Sequence, residues 1–176
     1  MNNFVLEIWD DEGRKCAFYT VRWEGAASNE TDKFFTKYNE IEKYKLPVQQ
    51  LLSFILDSIG DDHGAINDLF NRFENEVVGL PNKGKIKVGE ITFLYPHFPL
   101  RLYALRVQSR TDIVVLFNGG VKSAQTNQAS GGLNIIWREA CRFARRIEDA
   151  LINGEIIIDA KTRRLMPAGN GEEIIL

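Results

Sequence analysis

The chain has only two cysteines in 176 residues, Cys16 and Cys141, far apart and outside any Cys-x-x-Cys or Cys/His cluster. That argues against a disulfide framework and a zinc site, and both thiols read as reduced small hydrophobes. There are two histidines, His63 and His97. No Ser, His and acid arrangement has triad spacing, and the metal-ligand count is too thin for a zinc centre, so neither a covalent nor a metal-dependent enzyme is expected. No stretch approaches the ~20 apolar residues of a membrane span. The opening MNNFVLEIWDDEG turns acidic before any apolar run of signal length, so a cytoplasmic protein without membrane association is expected. Internal repeats and low-complexity segments are absent. A net charge of −2 and a pI near 5.8 argue against a protein that coats nucleic acid over its whole surface.

What is present supports a packed core. The chain is 44% hydrophobic and 11% aromatic, with an ordinary 26% of charged residues, and its length suits one domain with a modest extension. The small net charge hides a division. Residues 1–81 carry 8 Lys/Arg against 15 Asp/Glu, net −7, whereas residues 82–152 carry 11 against 5, net +6. Residues 153–176 carry 3 against 4, net −1. This reads either as a basic working face partly shielded by an acidic segment or as charges scattered over solvated faces.

Along the chain, the aromatic and β-branched runs 4–9 and 16–23 flank Asp10-Asp11-Glu12-Gly13 and predict a β-hairpin. A polar loop follows at 25–31. Pro47 opens a predicted helix with Val48, Leu51, Leu52, Ile55 and Ile59 on one stripe, broken at 60–64. Ile66, Leu69, Phe70, Phe73 and Val77 predict a second helix, so that the pair forms a helical hairpin. Strands are predicted at 85–94, 100–107 and 112–117, the last apolar throughout and therefore central. A long helix over 133–153 buries Ile136, Ala140, Phe143, Ile147 and Leu151. A short strand is expected at 155–159, and a partly disordered tail from Lys161. The expected class is α+β: a helical hairpin packed on a small antiparallel sheet with a C-terminal helix, plus an N-terminal β-hairpin extension. The expected parts are residues 1–45, 46–153 and 154–176.

The segment 98–126, FPLRLYALRVQSRTDIVVLFNGGVKSAQT, carries the most chemistry. Arg101 sits in one strand and Lys122 just past the end of the next, beyond an expected Gly-Gly turn, an arrangement able to hold phosphate over a sheet. Tyr103, two residues from Arg101, shares its face. His97 stands between two prolines, as a proton-transfer group or a structural loop residue. Lys83, Lys85 and Lys87 alternate along an extended segment, as a strip for RNA phosphate or as solubilising lysines, and Arg106 joins the RNA-binding candidates. Residues 79–85, GLPNKGK, match the spacing of a phosphate-binding loop as far as its lysine. Ile86 then stands where magnesium needs Ser or Thr, and a strand rather than a helix is expected next, which excludes nucleotide hydrolysis. On the long helix Arg138, Arg142, Arg145 and Arg146 form a ridge opposite the apolar arc. It is either a solvated face with local pairs such as Arg145–Asp149 or a docking surface for an acidic partner or RNA backbone.

In order and spacing, residues 46–153 resemble the RelE/ParE toxin superfamily, in particular its HigB-like, phage-associated branch. The resemblance rests on Arg101-Leu102-Tyr103, on Asp112–Lys122 (DIVVLFNGGVK) and on Glu139-Ala140 in the long helix. It implies one half of a toxin–antitoxin pair, neutralised by a partner expected to be a helix-turn-helix protein, with mRNA on the ribosome as target. It further implies metal-independent, cofactor-free RNA cleavage by attack of a 2′-hydroxyl on the adjacent phosphate. Arg101 and Lys122 would be the charge-stabilising cations, Tyr103 a stacking or orienting group, and His97 or a lysine the proton carrier. The alternatives are a non-enzymatic ParE-like inhibitor and a catalytically silent interaction module.

Overall fold

The computed structural model describes residues 2–122 and 131–176. Its centre is a mixed sheet built from β1 (Phe4–Asp10), β2 (Ala17–Trp23), β3 (Phe73–Glu74), β4 (Val77–Leu80), β7 (Leu100–Arg106), β8 (Ile113–Val121) and β11 (Ile174–Ile175). The seven strands run in the order β11-β1-β2-β8-β7-β4-β3. Two small hairpins lie outside it, β5 (Ile86–Val88) with β6 (Ile91–Phe93), and β9 (Ile156–Asp159) with β10 (Arg164–Pro167). The helices are α1 (Glu30–Asn39), α2 (Lys45–Ser53), which continues into a π-helical segment over Phe54–His63, and α3 (Gly131–Ile152).

Strand alternation divides the core in two. Ile113, Val115 and Phe117 of β8 point to the face covered by α3. Val114 and Leu116 point to the opposite face, covered by α1, α2 and the π-helical segment. On α3 the buried Ala140, Phe143, Ile147 and Leu151 fall on the arc that helical periodicity predicts. β8 is central, paired in parallel with β2 and antiparallel with β7. The parallel pairing stops at Thr20↔Leu116. The N-terminus of α1 stands beside that point: Thr31 donates to the Leu116 and Phe117 carbonyls at 3.0 Å and meets the Thr20 hydroxyl at 2.6 Å. Asn29 caps this helix, its side chain accepting from the Asp32 amide at 2.7 Å.

The expected class, a helical hairpin on a small antiparallel sheet, is corrected by this architecture. The second helix, read from apolar spacing over 66–77, does not form. Its Ile66, Leu69 and Phe70 pack into the core from a turn, and residues 73–80 make the β3–β4 hairpin. Val77-Val78-Gly79 is poor helix sequence, and Asn75, at φ 62, supplies the left-handed residue of a two-residue turn. A helix not expected from the sequence, α1, buries Phe34, Phe35 and Tyr38. The N-terminal hairpin is no appendage, since β2 pairs directly with β8. The predicted strand over 85–94 is a separate hairpin with Gly89 at its turn, φ 62. The tail forms β10 and β11, and Leu176 exchanges two hydrogen bonds of 2.9 Å with Phe4. Among the described residues no helix is long and apolar enough to cross a membrane.

Candidate functional site

On the α3 face, at the end of the sheet bounded by β3, the backbone register gathers charged side chains. Glu74 is opposite Val77 and Gly79 is opposite Tyr103, while the Gly79 amide donates to the Arg72 carbonyl at 2.9 Å. Partners in an antiparallel ladder share a face, so Arg72, Glu74, Gly79, Arg101 and Tyr103 all stand on this side. Gly79 makes room for the two guanidinium arms. A Cβ there would lie 2.6 Å from Cδ of Arg101 and 3.0 Å from Cδ of Arg72. Lys122 follows β8 at its end, its amide bonded to the Pro99 carbonyl at 2.8 Å.

Arg101 is only 4% exposed, and neither its Nε nor its Nη1 has a hydrogen-bond partner among the described residues. A buried charge so placed is costly. Burial first, and Arg72 second, lower its pKa to about 10, against the opposing effect of Glu74. Burial likewise lowers Arg72, whose Nε and Nη2 donate to the carbonyls of Pro81 and Asn82 at 3.3 Å. Lys122 is lowered by burial, then by Arg101 and Arg72. Tyr103 is raised by burial and by the Glu74 carboxylate, so its hydroxyl stays protonated. Three cations thus face one carboxylate, and the backbone carbonyl of Glu74 is fixed to α3 by the Trp137 indole N–H at 3.0 Å. Such a set can hold an oxyanion and donate hydrogen bonds to it.

Arg101, Tyr103 and Lys122 therefore come together, but the guanidinium is enclosed rather than laid open on the sheet. The expected Gly-Gly turn does not exist. Asn118, Gly119 and Gly120 continue β8, and a Cβ at Gly119 would overlap the Arg101 carbonyl oxygen. Residues 123–126 of the 98–126 segment lie outside the described residues.

The other candidates are elsewhere. His97 is exposed in the loop before β7, with φ 54. Lys83, Lys85 and Lys87 are exposed on or beside the β5–β6 hairpin, with Ile86 and Val88 turned inward. Arg106 is on the opposite face from Arg101, donating to the Ala65 carbonyl at 3.2 Å and to Asn67 Oδ1 at 2.7 Å. Arg145 pairs with Glu76 at 3.0 Å rather than with Asp149. Arg146 lies 4.8 Å above the Phe4 ring and donates to the Asn2 carbonyl at 3.1 Å. Arg138 and Arg142 are exposed. Sequence reasoning missed Arg72 and Glu74 because both lay on the helix that does not form. The signal that could have found them is the Glu-Asn-Glu-Val-Val hairpin pattern. Comparison with protein-family models, curated proteins and solved structures finds no match to this chain.

Proposed function

We propose that this protein binds a phosphate-bearing ligand at Arg72, Arg101 and Lys122. One observation carries the reading: a guanidinium that is almost wholly buried, beside two further cations, with two of its nitrogens unpartnered among the described residues. Buried charges in folded proteins are normally paired, and a bound anion is the partner that this arrangement calls for. Titration calorimetry of the purified chain with inorganic phosphate tests it. Saturable single-site heat that disappears in Arg101→Met is the expected result, and an absence of saturable binding in the wild type would remove the proposal.

A second reading, an mRNA endonuclease of a toxin–antitoxin pair acting in the cytoplasm, has its own support in Glu74. A carboxylate among cations supplies both halves of metal-independent RNA cleavage. Glu74 would take the proton of the 2′-hydroxyl as its oxygen bonds to phosphorus, Arg101, Arg72 and Lys122 would stabilise the phosphorane, and Glu74 would return the proton to the 5′-oxygen as its bond to phosphorus breaks, leaving a 2′,3′-cyclic phosphate. Primer extension on cellular mRNA after induction checks this. Cleavage ends should appear with the wild type and vanish with Glu74→Gln. DNA damage with intact mRNA would favour a ParE-like inhibitor, and harmless expression a silent interaction module.

A further inference from the structure

We infer that the group received by the Arg101 site is a terminal phosphate, a monoester with two negative charges, rather than an internal phosphodiester of a polynucleotide. This rests on the anion-binding reading above and is opposite to what the endonuclease reading requires. Charge is the first argument. Arg72, Arg101 and Lys122 against Glu74 leave two positive charges in a partly desolvated cluster, where an unbalanced charge is expensive. A dianion neutralises that excess, whereas a diester, with one charge, leaves half of it.

Depth is the second argument. The Nε and Nη1 of Arg101 are buried, above a Gly79 whose missing Cβ is already replaced by the arginine arms. An internal diester carries a sugar on both sides and needs an open groove along which the backbone can lie. A terminal phosphate is attached through one oxygen only and presents three others, so it can enter end-on. The hydrogen-bonding character of the cluster agrees. Arg101 offers N–H donors at Nε and Nη1 that have no partner among the described residues, the half-exposed Lys122 offers a mobile ammonium, and Tyr103 keeps its proton.

The discriminating experiment titrates the full chain with inorganic phosphate, adenosine 5′-monophosphate and adenosine 3′,5′-cyclic monophosphate, which share an anion type or a base but differ in ester number. The expected result is binding of phosphate and the 5′-monophosphate at least tenfold tighter than the cyclic diester. Arg101→Lys should keep its circular dichroism spectrum while losing most of that preference, because a single ammonium cannot place donors at both the Nε and Nη1 positions. Equal or tighter binding of the cyclic diester overturns the monoester inference and leaves the anion-binding reading standing. No binding of phosphate by a folded wild-type chain overturns both.

Discussion

The two arginines at opposite ends of β7 make the most instructive comparison in the molecule. Arg106 is tied down: its Nη1 donates to two acceptors, and its guanidinium lies 5.6 Å from the centre of the Phe70 ring. Arg101, five residues earlier and on the other face, is more deeply buried, yet two of its nitrogens have no partner among the described residues. One arginine secures the loop at 65–70 to the sheet. The other shares the space over Gly79 with the arm of Arg72, and its Nε and Nη1 secure no other segment among the described residues. Side chains that cost stability without a structural return are where function is to be sought.

The largest expected effect comes from exchanging the roles of the two. Arg101→Met should abolish phosphate binding in calorimetry and raise stability, because it removes a buried charge two of whose nitrogens have no partner among the described residues. A pKa lowered from the ordinary arginine range to about 10 bounds the gain at about 3 kcal/mol. Arg106→Met should leave phosphate binding unchanged and cost about 2 kcal/mol in urea unfolding, as two hydrogen bonds from a charged donor are lost. If Arg101→Met destabilised the protein as much as Arg106→Met, the contrast between the two arginines would vanish.

Next in size is Gly79→Ala. The added methyl group meets the Cδ atoms of both arginines, so both arms must shift to admit it. The expected outcome is a loss of about tenfold in phosphate affinity, or about 1.4 kcal/mol, with a smaller change in melting temperature. Lys122→Gln should weaken binding by about threefold at low salt. The difference should narrow at about 1 M salt, because a half-exposed ammonium is screened there.

The same contrast has a pH dependence. Arg101 binds its proton less tightly in the folded state than in the unfolded one, so stability should rise with pH through the interval that begins at about 10 and ends at the ordinary arginine range. Below that interval the full penalty is present. Chemical unfolding at pH 9 and pH 11 should show this rise in the wild type and lose it in Arg101→Met.

Much of the sheet was legible in the sequence. The hairpin of β1 and β2, the continuous apolar run of β8 and the apolar arc of α3 all follow from periodicity, because burial on one or two faces leaves a plain trace. What was not legible is how segments combine. Ile66, Leu69, Phe70 and Phe73 have helical spacing by coincidence, while Val77-Val78-Gly79 and a turn-forming Asn75 decide for strands. In α1, Asn29 and the Phe34, Phe35, Tyr38 stripe were visible but hidden in a charged stretch. The site was half legible. Arg101, Tyr103 and Lys122 stand out within 25 residues of chain, whereas Arg72 and Glu74 reach them only through the pairing of β3, β4 and β7, which no local pattern encodes. Whether Arg101 would be enclosed also depended on tertiary packing.

The parallel contact between β2 and β8 has a consequence for how the polypeptide reaches its native state. Every residue pair in that contact is separated by 96 positions, as Ala17 with Ile113 and Thr20 with Leu116. The first hairpin, with Phe4 and Phe18 on its two faces, must therefore wait with an open edge until most of the chain has been synthesised. Local hairpins can close early, but the joint that unites the two halves of the sheet comes late, and until then that edge is the place where a neighbouring chain would most readily attach.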